Sequence, residues 1–182
     1  MQLRRLALST IAASALALAA CGEETTHHAH SEGVYVTAGE LQYQVQISRQ
    51  LNPYSAEDQA YLVGLPRGER LGRGEEWFGV FLRAWNRTDE PQQTARTFYI
   101  TDTIGRRFDP IPLNGRENVT IFRSWELKPG DQLPVPGSPA RELNTQGGLI
   151  LFKIPNRSFQ FRPLTLHIVP PSGEPGEVTL DI

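Results

Sequence analysis

Over residues 41–48 apolar and polar side chains alternate without a break. Leu41, Tyr43, Val45 and Ile47 fall on one side, and Gln42, Gln44, Gln46 and Ser48 on the other. A period of two sustained this long is the signature of a strand with one wet face. Residues 77–85 form a run of another kind, with no charge except Arg83 and large side chains at both parities. Such a run predicts a central strand covered on both faces. The chain must then supply apolar material to each side of that strand.

Further runs at 97–101, 148–154, 164–169 and 178–182 read as strands, with a short edge piece at 34–36. Asp102-Thr103-Ile104-Gly105 predicts a turn, with Arg107-Phe108-Asp109 pairing back as a hairpin. A short strand is expected over 120–122. The stretch 132–135 is broken by Pro134 and Pro136 and fits only an edge. Ser55 followed by Glu57 and Asp58 predicts a short helix over 56–62. Residues 64–76 carry four glycines and a proline among charges, and are expected to form an exposed, mobile loop. Eight or nine short strands separated by turns indicate an all-β, antiparallel β-sandwich. Its core would hold Trp77 or Trp85 with Phe81, Phe98, Leu151 and Phe152.

The N-terminus carries an address. Arg4 and Arg5 precede a charge-free stretch rich in Ala and Leu over 6–20, the length of a secretory signal and short of a membrane span. Leu18-Ala19-Ala20-Cys21 resembles the bacterial lipobox, which implies cleavage before Cys21 and a diacylglyceryl group on its thiol. Cys21 is the only cysteine, so the domain is built without disulfides. Residues 1–20 are therefore expected to be a cleaved signal, 21–33 an acylated cysteine with a flexible polar tether, and 34–182 the folded domain. General secretion is the default route. The expected location is the outer face of the cell membrane, held by the covalent lipid.

The tether holds His27, His28 and His30, an imidazole cluster of the kind that takes zinc or copper(II). Copper(I) is disfavoured, because Met1 is the only methionine and no free thiol remains. Arg4 and Arg5 leave with the signal, so the 18 basic residues fall by two against 20 acidic ones. That balance argues against nucleic-acid binding.

A strand ending in Asn86, the hairpin through Asp102 and Gly105-Arg106-Arg107-Phe108, Leu127-Lys128-Pro129-Gly130, and Leu151-Phe152-Lys153-Ile154-Pro155 follow in order. In these the chain resembles the immunoglobulin-like domains of secreted lipoproteins from Gram-positive, actinobacterial-type bacteria, over roughly residues 41–182. The resemblance implies the sandwich and supplies no catalytic residue.

No catalytic set stands out either. His167 is the only histidine beyond the tether, it lies in an alternating strand opposite Leu164, Leu166 and Ile168, and no Gly-x-Ser-x-Gly elbow is present. The carboxylate pairs Glu57/Asp58, Glu75/Glu76, Asp89/Glu90 and Asp102/Asp109 follow no calcium-loop spacing, and Asp102 most simply caps its turn. Three Asn-x-Ser/Thr patterns begin at Asn86, Asn118 and Asn156, and in a bacterial lipoprotein they are chance matches to the glycosylation pattern. The expected role is a non-catalytic binding module with no cofactor, meeting an envelope protein or cell-wall component through loops at 49–76 and 110–124. The alternative is a metal-handling lipoprotein using His27, His28 and His30.

Overall fold

A computed structural model describes residues 26–182; the signal segment and Cys21 lie outside the described residues. The elements are β1 (His28–Ala29), β2 (Tyr35–Ala38), β3 (Leu41–Leu51), α1 (Ala56–Tyr61), β4 (Glu75–Trp85), β5 (Gln92–Gln93) and β6 (Thr97–Thr101). They continue with β7 (Arg107–Phe108), β8 (Glu126–Leu127), β9 (Gln132–Leu133), α2 (Pro139–Glu142), β10 (Gly148–Pro155), β11 (Leu164–Val169) and β12 (Gly176–Leu180). One sheet runs β10-β4-β3-β2, with β9 joining the end of β4; the other runs β1-β12-β11-β6-β7. Stacked face to face they form an immunoglobulin-like antiparallel β-sandwich, whose one parallel strand pair among the described residues is β1 with β12.

The inner layer is built by the alternation. Val36, Leu41, Tyr43, Val45, Phe78, Val80, Leu82 and Phe152 from the first sheet meet Phe98, Ile100, Leu166, Ile168 and Val178 from the second. The first sheet has a second apolar face, as the composition of β4 requires. Leu51, Trp77, Phe81, Leu149 and Leu151 point outward and are covered by Tyr61 of α1 together with Leu62, Leu65, Leu71, Ile111 and Leu113. Tyr61 meets Phe81 edge-on at 4.9 Å. Trp77 is thus buried in this outer layer and not between the sheets, while Trp85 is only half-buried.

Two expectations fail here for physical reasons. Residues 64–76 do not simply hang in solvent, because Leu65 and Leu71 are needed to cover the outer face, and Asn114 N–H donates to the Gly64 carbonyl at 2.8 Å. Nor does Ile47 share a face with Val45. A bulge between them shifts the register, so Ile47 stands opposite Phe81 and is 38% exposed, whereas Ser48 turns inward and is buried. An extra residue in one strand reverses the alternation beyond it. That reversal is what puts Leu51 on the outer face.

Polar clamps fix the cover. Asp58 of α1 accepts from Arg49 Nη2 at 2.5 Å and Nη1 at 3.1 Å, and from the Asn52 amide at 2.7 Å. Burial works to raise the Asp58 pKa, but Arg49 and the Asn52 amide outweigh it and hold the carboxyl below its usual range. Asn118, fully buried, donates to the carbonyls of Tyr61 and Val63, both at 2.9 Å, while its Oδ1 accepts from Thr120 N and Oγ1. Asn86 repeats the device: Nδ2 donates to Glu90 O and Leu127 O, and Oδ1 accepts from Thr88 N and Oγ1. Two of the Asn-x-Thr patterns are therefore buried loop clamps, with both amide hydrogens already used.

Replacing Asn118 by Ala strands two carbonyls and a threonine, and should cost roughly 2–4 kcal/mol of unfolding free energy. Urea denaturation checks this, and a loss below about 0.5 kcal/mol would show that Asn118 is not a clamp.

Candidate functional site

The expected tether does not remain free as far as Gly33. Residues 26–33 lie on the sandwich, with β1 paired to β12 in register His28↔Glu177 and Ala29↔Val178. Ala29 is buried in the inner core, and Thr26 O accepts from Thr37 N at 2.7 Å. Glu32 seals the far end. Its carboxylate accepts from the Ser48 amide (2.9 Å), the Ser48 hydroxyl and the Asp181 amide (3.1 Å). Burial, set against these hydrogen bonds, still pushes the Glu32 carboxyl above its ordinary pKa.

This docking separates the three histidines. His27 Nδ1 lies 2.9 Å from Thr37 O, with Nε2 3.4 Å from Glu174. His28 is exposed and its Nδ1 is 3.1 Å from Glu177 Oε2, while His30 is exposed with no such contact. Of the cluster that the alternative reading gave to a metal, His27 and His28 thus face two different acidic partners, and no group of three ligand side chains suited to a metal occurs among the described residues.

The structure instead brings His28 to His167. Glu177 lies between them, with Oε1 3.1 Å from His167 Nδ1, and the three stand on one rung of β1, β12 and β11. The rung continues to Tyr99 on β6, whose ring stacks on His167 at 4.4 Å and 9°; Arg107 caps Tyr99 at 3.9 Å. Thr101 Oγ1 is 2.8 Å from His167 Nε2. Sequence reading placed His167 on the surface side, which is correct, but gave no signal that a residue 139 positions earlier shares its carboxylate. Thr101 Oγ1, His167 and Glu177 thus stand in the order hydroxyl, imidazole, carboxylate, with both imidazoles facing the one acid, and the rung ties β1, β12, β11 and β6 together.

Of the carboxylate pairs, Glu57 and Asp58 share Arg49, while Glu75/Glu76 and Asp102/Asp109 turn to different partners. Asp58 belongs to the Arg49 clamp, Glu75 accepts from Gly72 N (2.6 Å) and Glu76 faces Asn156. Asp102 caps its own turn, accepting from Ile104 N, Arg106 N and Arg106 Nε, while Asp109 pairs with Arg107.

A cleft remains. The piece 120–122, expected as a strand, is reduced to one parallel bridge from Ile121 to Leu149 at the open edge of β10, held by Phe122 N to Leu149 O and Leu149 N to Thr120 O, both 2.8 Å. Facing it are Leu133, Pro134, Val135, Ser138 and Ala140, and about 350 Å³ lies between the walls. Phe122 is braced edge-on by Phe98 at 5.4 Å. The rims are Val119 and Val135, each 57% exposed, and the buried Ser138 hydroxyl has no hydrogen-bond partner. One wall falls within the loop singled out from sequence; the other, 133–140, carried no signal beyond its prolines.

No family model matches the chain, and no curated protein matches it. The solved yjhA protein from Bacillus subtilis superposes with a TM-score of 0.53 at 12% identity, over 84% of this chain and 99% of that one. An uncharacterized β-sandwich protein from Clostridium difficile 630 gives 0.43 at 9% identity, over 88% and 98%. The yjhA likeness shows the fold alone.

Burial is the main cause that lowers the His167 pKa, with Arg107 adding to it and Glu177 opposing it. Neutral His167 is therefore favoured in the folded state. As pH falls through about 6.5 the unfolded chain takes up the proton first, and stability is lost until the folded pKa is reached. Urea unfolding at pH 7.5 and 5.5 should show a steeper loss in the native protein than in His167→Gln; a shallower loss would mean that the Glu177 charge dominates.

Proposed function

We propose that this chain is a non-catalytic binding module displayed on the outer face of the cell membrane by lipid on Cys21, taking an apolar segment of another envelope protein into the cleft beside β10. The observation that carries the reading is the cleft itself. Its walls are apolar, two valines stand exposed on its rims, and it opens at a sheet edge. Soluble domains seldom leave such a surface without a partner. The lipobox supports the membrane address, since a stable anchor would hold the cleft close to other envelope proteins.

Two measurements test this. In cells, Cys21→Ala should move the protein from the membrane fraction to the soluble one. A photo-crosslinker at Val135 should give one discrete adduct, lost in Val119→Asp, while the same crosslinker at Tyr54, 91% exposed and away from the cleft lining, gives none. Equal crosslinking from both positions would contradict a cleft-directed partner.

A further inference from the structure

Docking of residues 26–33 shortens the link between the domain and Cys21. A segment free as far as Gly33 would span about 40 Å when fully extended from Cys21. Thr26 O instead accepts from Thr37 N at 2.7 Å, and His27 O accepts from Glu177 N at 2.8 Å. The link from Cys21 to Thr26 can then reach at most about 17 Å. β3 alone runs for 11 residues, roughly 35 Å at the rise of a strand. The domain is longer than its link, so the end from which the link leaves stays close to the anchor however the domain turns.

Contacts trace that end across the sandwich. Thr37 leads into the turn between β2 and β3, where Gly39 N donates to Glu174 O at 2.8 Å. Gly39 lies so close to the next loop that a Cβ there would stand 2.7 Å from Ser172 O and 3.0 Å from Pro170 Cβ. Pro170 and Pro171 line one hollow with Gln93 and Arg96. Between those two, Thr94 holds Trp125: Thr94 N donates to Trp125 O at 3.0 Å and Trp125 N to Thr94 Oγ1 at 2.8 Å. The Ala95 amide donates to the Tyr43 hydroxyl at 2.7 Å, which ties this loop to β3. Thr26, Gly39, Pro170 and Trp125 therefore share one end. Tyr54 and Ile104 follow the far ends of β3 and β6, since Thr97, paired with Val169, starts β6 at the near end.

Trp125 is 68% exposed, although its backbone is fixed by the bonds to Thr94. The ring is thus held out on a rigid support, on the end nearest the anchor. Tryptophan is favoured at the boundary between water and lipid, where the ring is buried and the N–H stays wet. Charge does not select the surface. Arg96 stands at this end with Glu40, Glu126 and Glu174, so there is no basic excess to draw anionic headgroups. The contact rests on the ring and on the short link.

We propose that this end of the sandwich rests on the membrane surface, with the Trp125 ring entering the headgroup layer. The inference builds on the lipid at Cys21 proposed above and does not depend on the apolar cleft. The test uses the full chain carrying its lipid, reconstituted on vesicles of phosphatidylcholine brominated near the headgroup, and reads the quenching of tryptophan fluorescence. Quenching should be about threefold or more stronger in the native protein than in Trp125→Phe, since Trp77 is buried and Trp85 half-buried. Trp125→Phe combined with Tyr54→Trp moves the indole to the far end and should be quenched no more than Trp125→Phe alone. Equal quenching of the native protein and Trp125→Phe, in a chain that floats with the vesicles, would overturn this inference and leave the anchor standing. Quenching of the relocated indole as strong as that of Trp125 would also overturn it, since the domain would then have no preferred end. A chain that does not float with the vesicles has no lipid on Cys21, and both the anchor and this inference fail.

Discussion

Everything else in this domain is arranged around one strand that has no wet face over most of its length. From Trp77 to Leu82 every residue of β4 is buried, with Phe78, Val80 and Leu82 turned inward and Trp77 and Phe81 outward. At about 25 cal/mol per Å², leaving either set in water would forfeit several kcal/mol, a large share of a domain's net stability. The second sheet covers one side. The other is covered by the long excursion between β3 and β4, with α1 and the 110–113 stretch, and those segments are pinned by Asp58–Arg49 and by Asn118.

The same constraint sets where binding surfaces can exist. The lower half of the outer face is used up by its cover, so on this sheet the faces left open are the upper half, with Tyr35, Arg83 and Trp85, and the β10 edge beside Phe122. Rigid strands hold both, while short connections such as 133–140 provide the walls, which is the usual division of labour between scaffold and loop.

Much of the framework could be read from the residues. The alternation over 164–169 became β11, 97–101 became β6 with the same bounds, and the hairpin after Asp102 formed around its carboxylate. What escaped reading was whatever does not depend on apolar periodicity. The bulge after Val45 is invisible to a pattern that continues through Ile47. Residues 26–33 look like a spacer because their docking rests on backbone pairing, on His27 and on the Glu32 carboxylate, none of which leaves a hydrophobic signature. The candidate surfaces were half legible. The 110–124 loop was marked as a binding loop, but the meeting of His28 with His167 through Glu177 comes from tertiary placement across a long sequence separation.

The outer cover belongs to the same cooperative core as the sandwich. Native-state hydrogen exchange tests it most directly, by following the amides of residues 78–82 beside the Ile111 amide, which donates to Leu151 O in the cover. Both groups should exchange with the same free energy and the same dependence on denaturant, opening only when the domain unfolds. Exchange of Ile111 through a low-energy, denaturant-independent opening, with β4 still protected, would contradict it.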